Sequence, residues 1–183
     1  MPLTKQLESI LAIYRAHGHR QYGETVTELQ HALQTATFAR QSNEPDVVVA
    51  AALLHDFGHL LHSGGEDIAE QGIDMRHENL GANRLAAYFG PAIVEPIRLH
   101  VEAKRYLCWA DPAYLDGLSP ASRLSLQIQG GPMDAAESAH FQRQPHHDTA
   151  LRLRRYDDMG KVPAMATPAL EDFRALLESF LVG

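Results

Sequence analysis

The chain has 183 residues, 45% of them apolar, which is enough for a hydrophobic core and too many for a disordered chain. Sixteen Lys+Arg against 23 Asp+Glu give a formal net charge of −7, which argues against the basic face that sequence-independent nucleic-acid binding needs. Eleven His stand against one Cys, Cys108, so a disulfide framework and a thiolate metal cage are both excluded; a metal here would be held by imidazole and carboxylate.

The apolar period is helical from the start. Leu3, Leu7, Ile10, Leu11 and Tyr14 recur at three- and four-residue steps, the stripe of an amphipathic helix that ends before Gly18. Lys5, Glu8 and Arg15 interrupt this stretch, so it holds no signal-peptide core. A polar loop over 17–23 follows, and Thr27 offers an N-cap for a helix carrying Leu29, Ala32, Leu33, Ala36 and Ala39. Asp46, after Pro45, is expected to cap the next helix, whose run over 47–54 is apolar all round and belongs in the middle of the fold. Three valines there would also suit a buried strand; three alanines, the cap and the lack of a partner strand decide for helix. This run is far short of a membrane span, so the expectation is a cytoplasmic protein with neither membrane nor nucleic acid as partner.

Gly58, Gly64, Gly65 and Gly72 mark a loop region. A helix over about 77–89 presents Leu80, Leu85 and Phe89, and Gly90-Pro91 breaks it. The following helix carries Ile93, Ile97, His100 and Lys104, with a kink or restart expected at Pro96. Ser119-Pro120 reads as cap and first turn of a short helix through 127, which Gly130-Gly131-Pro132 stops. Two more helices cover about 133–141 and 145–157, and the last starts at Thr167-Pro168 and buries Leu170, Phe173, Leu177 and Phe180. No alternating strand or hairpin signal occurs, so the expected fold is all-α: about eight helices in one domain, 1–183.

The chemistry-bearing residues lie on these helices. His55-Asp56 ends the most buried one, and an ionised Asp there is costly unless a cation neutralises it. An Asp pairing its own His, or capping a turn, explains the dipeptide equally well. His31, His77 and His100 add three more imidazoles at helix positions, and Asp157 follows the cationic pair Arg154-Arg155. Each such histidine would need a buried partner of its own if it were structural. Lys104 lies four residues after His100, His59 four after His55 and Arg154 three before Asp157, so each shares a helical face with a candidate ligand. Cations converging on a metal site suit a strongly anionic ligand such as a phosphonate or phosphate. A solvated face is the alternative for Lys104 and Arg154. Ser122 and Ser125 could add hydroxyl donors, and Asp158 competes with Asp157 as a ligand on physical grounds.

The series His31 … His55-Asp56 … Asp157 resembles the H…HD…D signature of the HD-domain superfamily, an all-α metal-dependent fold, over about 22–163. With His77 and His100 added, it resembles the mixed-valent diiron oxygenases of that superfamily, and within them the organophosphonate oxygenases. The resemblance implies one iron held by His31, His55 and Asp157, a second by His77 and His100, and Asp56 bridging an Fe(II)/Fe(III) pair that uses O2. It also implies phosphonate contacts from His59, Lys104, Ser122, Ser125 and Arg154. Tyr22 is implied to gate an iron and Glu24 to lie near the substrate amine, an ordinary loop Tyr being the alternative. The implied substrate is a small anionic phosphonate, 1-hydroxy-2-aminoethylphosphonate or its trimethylammonio counterpart, cleaved to phosphate and glycine or glycine betaine. Tyr22, Tyr106 and Trp109 are the rings that could cage a trimethylammonium group. Two other readings of the same residues are a metal-dependent phosphohydrolase of a nucleotide or small phosphoester, and a non-catalytic metal-binding regulatory module.

Overall fold

A computed structural model describes residues 3–22, 25–61 and 75–182, the side chains of Leu3 and Thr4 apart. Ten α-helices occur among the described residues: α1 Leu3–His17, α2 Glu28–Gln41, α3 Asp46–Leu54, α4 His77–Leu85, α5 Pro91–Ala110, α6 Pro112–Gly117, α7 Pro120–Ile128, α8 Ala135–Phe141, α9 His147–Met159 and α10 Arg174–Glu178. Single 3-10 turns run over Phe57–Leu61 and Leu170–Phe173. Extended pairing among these residues is limited to two isolated bridges, Gln21 with Thr27 and Phe89 with Leu181. The all-α expectation holds. No helix among the described residues is long and apolar enough to cross a membrane.

Local chemistry explains most of the boundaries. Thr27 accepts from the Gln30 backbone N–H while the Gln30 side chain accepts from the Thr27 N–H, a reciprocal capping box that starts α2. Pro45, rather than Asp46, is the N-cap of α3; Asp46 is the first helical residue, where its charge suits the positive end of the helix dipole. Pro96 lies inside α5 without ending it. The helix that the sequence pattern missed is α6, started by Asp111, whose side chain accepts from Ala113 N–H, with Pro112 at the first position.

The apolar run of α3 is the centre of the molecule, buried from Val48 to Leu54. Around it α1 supplies Leu7, Ile10, Leu11 and Tyr14, α2 Ala32, Leu33, Ala36 and Ala39, and α5 Ile93, Val94 and Ile97. Burying each large aliphatic side chain stabilises the fold by ~1.5–3 kcal/mol relative to leaving it exposed. The Tyr14 hydroxyl donates to the Leu53 carbonyl at 2.7 Å, so the last turn of α3 is tied to α1 just before His55. α5 packs against α3, α4 and α9, and α2 against α3 and α9.

Of the residues expected to face the core from this segment, Leu85 and Phe89 are buried but Leu80 faces solvent; His77, Glu78, Gly81 and Ala82 fill the rest of the buried side of α4. Gly58 and Gly81 decide this. A Cβ on Gly58 would stand 1.9 Å from the His77 carbonyl oxygen, and one on Gly81 would stand 2.9 Å from the Gly58 nitrogen. The two backbones cross where side chains would collide, and this contact brings the first residue of α4 against the turn that follows His55-Asp56.

Candidate metal centre

Six buried side chains from five segments meet at the core of the bundle: His31 on α2, His55 at the end of α3, Asp56 beside it, His77 at the start of α4, His100 on α5 and Asp157 on α9. Asp56 stands between two pairs of imidazoles. Its Oδ2 lies 3.2 Å from His55 Nε2 and 3.4 Å from His31 Nε2; its Oδ1 lies 3.3 Å from His77 Nε2 and 3.4 Å from His100 Nε2. Within each pair the two Nε2 atoms are 3.1 Å apart. Asp157 completes the first group, with Oδ1 3.3 Å from His31 Nε2.

The far side of each ring fixes its tautomer. His31 Nδ1 is 2.8 Å from the Gly160 carbonyl, His55 Nδ1 2.8 Å from that of Ala52 and His100 Nδ1 2.7 Å from that of Ile97. A carbonyl only accepts, so each Nδ1 carries a hydrogen and it is Nε2, the atom that can offer a lone pair to a metal, that faces inward. His77 differs: its Nδ1 lies 3.7 Å from Oε2 of the buried Glu78.

These inward atoms repel one another unless a cation sits among them. Both oxygens of Asp56 and Oδ1 of Asp157 are buried without a hydrogen-bond partner. Buried carboxylate oxygens without donors, facing imidazole lone pairs, are what a metal's ligands look like around the position of the ion. One donor atom from each of His31, His55, Asp56 and Asp157 lies within 4.8 Å of the others, and the same holds for Asp56, His59 and His77. The residues therefore fit metal binding on both sides of Asp56.

The field of the cluster is strongly polarised. Burial works against a charged His31, yet the carboxylates of Asp157 and Asp56, 3.3 and 3.4 Å from its Nε2, outweigh it and raise its pKa to about 9. Burial likewise opposes ionised Asp56, but the surrounding imidazoles, His55 foremost, hold its carboxyl well below the usual range. Asp157 is held low by the Arg154 guanidinium and then by the nearby His31 ring, again against burial.

Sequence reasoning left Asp157 and Asp158 in competition; the two have separate surroundings. Asp157 is buried in the cluster. Asp158 is half-buried and pairs with Arg154 Nη2, while its Oδ2 accepts from the Tyr114 hydroxyl at 2.5 Å. Arg154 is buried, not solvated: Nη1 donates to Asp157 Oδ2 at 2.6 Å and Nε to the Tyr114 oxygen at 3.1 Å. Lys104 is 2% exposed, so it too lies on no solvated face, and its Nζ donates to Ser125 Oγ at 2.8 Å. Burial and the neighbouring Arg154 charge lower its pKa to about 7.

Two other expected residues border the cluster. His59 stacks on His77, ring centroids 4.0 Å apart at 18°, which places it beside Asp56 as well. Tyr22 stacks on His31 at 3.8 Å and 11°. Burial and the charges of Asp56 and Asp157 push its hydroxyl pKa well up. Glu24 lies outside the described residues. The three rings considered for a cage are split: Tyr22 packs on His31, whereas Tyr106 packs on Trp109 and Phe141.

Four residues of this region were missed. Tyr114 sits on α6, the helix the pattern overlooked. Glu78 and Gly160 act through contacts that only the tertiary fold creates. Lys161 donates from Nζ to Ser122 Oγ at 3.0 Å; it lies one helical turn after Asp157 in number, but α9 ends at Met159 and breaks that signal.

A family model for the HD domain matches residues 29–127, a span that holds five of the six clustered side chains and ends before Asp157. The hydroxymethylphosphonate dioxygenase of Gimesia maris is 44% identical over 181 residues, covering 97% of this chain and 89% of the relative. The [1-hydroxy-2-(trimethylamino)ethyl]phosphonate dioxygenase (glycine-betaine-forming) of Leisingera caerulea is 40% identical over 173 residues, covering 94% of this chain and 88% of the relative.

Proposed function

The chain belongs to the HD-domain family, as an enzyme related to phosphonate dioxygenases, and from that premise we propose that it is a diiron oxygenase cleaving the C–P bond of a 1-hydroxyphosphonate with O2. The observation that carries this reading is the division of Asp56: one carboxylate oxygen faces His31 and His55, the other faces His77 and His100. A carboxylate with two imidazole pairs on opposite oxygens is built to bridge two cations rather than to seat one.

In this reading His31, His55 and Asp157 would hold one iron, His77 and His100 the other, and Asp56 would be shared between them. When bound, the iron pair supplies the redox and Lewis-acid chemistry of oxygenation at the hydroxyl-bearing carbon. The protein's own residues bind and aim the substrate. Lys104 and Ser125, already joined at 2.8 Å, take phosphonate oxygens together with Ser122. Arg154 keeps Asp157 ionised and oriented and borders the same anion. His59, which stacks against His77, would exchange a proton with the phosphonate or the 1-hydroxyl. Tyr22 covers His31 and excludes water from that side of the cluster. The overall change balances as R–CH(OH)–PO3(2−) plus O2 giving R–COOH plus HPO4(2−), with the carbon oxidised and O2 reduced.

The relatives' names span a substrate with no amine and one with a trimethylammonium group. The separation of Tyr22 from Tyr106 and Trp109 favours a substrate without the quaternary group, either hydroxymethylphosphonate or 1-hydroxy-2-aminoethylphosphonate. The test is O2 uptake and phosphate release by Fe(II)-loaded protein with each of the three phosphonates. Stoichiometric O2 consumption and phosphate release support the oxygenase. Cleavage of a nucleotide or phosphoester without O2, and no reaction with any phosphonate, would establish a phosphohydrolase instead.

A further inference from the structure

We infer that Lys161 is a second anion-binding lysine of the site, paired with Lys104 across α7 to grip a phosphonate or phosphate group. The inference deepens the proposed function and rests on it for the identity of the substrate, but not for the presence of the anion site.

The geometry is a short chain of polar atoms. Lys104 Nζ donates to Ser125 Oγ at 2.8 Å, Ser125 Oγ donates to the Ser122 carbonyl at 3.1 Å, and Lys161 Nζ donates to Ser122 Oγ at 3.0 Å. Ser122 is buried, so the two lysines approach one face of α7 from α5 and from beyond α9. Among the described residues each ammonium donates to a serine hydroxyl, and no carboxylate lies within ion-pair distance of either. Arg154, by contrast, is committed to Asp157, Asp158 and Tyr114. Two ammonium groups held together on neutral hydroxyls repel each other, and Lys161 is among the charges that depress the Lys104 pKa. A dianion between them removes that repulsion, and the serine hydroxyls turn to donate to it.

Lys161 is also held in place. Gly160 accepts from His31 Nδ1, while Val162 exchanges two hydrogen bonds with the Gln34 side chain, donating at 2.9 Å and accepting at 2.8 Å. Both hydrogen-bonded neighbours fasten the backbone of 160–162 to α2. A lysine with a fixed backbone and a half-buried stem loses less freedom on binding than one on a mobile loop. Its Nζ stands 5.8 Å from the centre of the Tyr22 ring, which places the ammonium on the Tyr22 side of the cluster.

The experiment is calorimetric titration of inorganic phosphate and of hydroxymethylphosphonate into the iron-loaded wild-type protein, Lys161→Met and Lys161→Arg. Lys161→Met should weaken both ligands by about 10- to 100-fold, and Lys161→Arg should restore most of the affinity. Thermal melts without ligand check that both variants are folded. Unchanged affinity in folded Lys161→Met overturns the inference. Wild-type protein that binds phosphate through Lys161 yet consumes no O2 with any phosphonate overturns the oxygenase reading while upholding the lysine pair.

Discussion

His31 donates a hydrogen bond from Nδ1 to the carbonyl oxygen of Gly160 at 2.8 Å, joining α2 to the end of α9. The bond fixes which nitrogen of His31 faces the cluster, and it depends on the residue at 160 having no side chain. A Cβ on Gly160 would stand 2.4 Å from Thr35 Oγ1 and 3.0 Å from His31 Nδ1. Gly160→Ala should therefore displace the His31 ring and weaken metal binding by about 10- to 100-fold, as loss of an orienting partner does at metal-ligating histidines. Chelator competition measures it; wild-type affinity in Gly160→Ala would show that the contact has no hold on the ligand.

Asp56→Asn keeps the shape of the bridge and removes its charge. A neutral amide presents one oxygen, so it can ligate a metal on at most one side of the cluster. The variant should hold at most one metal per chain and lose at least ~100-fold in turnover, with metal analysis and O2 uptake as the readouts. Asp157→Asn should spare the metal at His77 and His100 and weaken the one at His31 and His55. Retention of two ions by Asp56→Asn would refute the bridge.

Metal-free protein should respond to pH through His31. Its folded pKa, about 9, lies above its ordinary value of 6.5, so the folded state holds the extra proton between these values. That contribution to stability is complete below about pH 6.5 and is lost as pH rises through 9. Lys104 acts in the opposite sense, because its folded value of about 7 lies below its ordinary 10.5 and the unfolded chain is the more protonated between them. The clean measurement is a pH series of melting temperatures on chelator-treated Lys104→Met, which should fall from pH 6.5 to 9. Metal-loaded protein should lack this fall, since the ion takes the place of the proton. A flat series in the metal-free variant would refute the assignment.

Lys104 makes a separate statement about the ligand. An anion beside it favours the ammonium, so above pH 7 binding takes up a proton and weakens with rising pH, by up to ~10-fold per unit. Phosphate titrations in buffers of differing ionisation enthalpy give the proton count directly. Lys104→Met should bind more weakly and take up no proton; proton uptake that persists in it would place the titrating group elsewhere.

Much of this site is written in short-range patterns. The dipeptide His55-Asp56 could be read because it ends an all-apolar run, and burial of that run carries both ligands into the centre. Thr27 with Gln30, and Ser119 with Pro120, set helix starts through contacts within four residues, which is why α2 and α7 begin where expected. The rest depends on partners distant in the chain. Leu80 looked like a core residue by spacing, but the Gly58–Gly81 approach turns α4 so that Leu80 faces water. Lys161 became visible only once the ties from His31 and Gln34 showed where the chain goes after α9. Tyr106 and Trp109 carry no positional signal that separates packing on Phe141 from a place at the ligand.

The placement of the six clustered side chains also sets an order of events in folding. His31 and His55 are 24 positions apart, and His77 and His100 are 23 apart, so each imidazole pair arises between neighbouring segments. Asp157 comes from α9, far along the chain, and the Gly160 carbonyl that aims His31 is 129 positions from it. Contacts of such separation close late because the intervening loop must first be ordered. A growing polypeptide thus has its four histidines long before it has the carboxylate and carbonyl that complete their surroundings. Binding by the full set has to wait for α9 to dock, whereas the His77 and His100 side of Asp56 has its imidazoles without it.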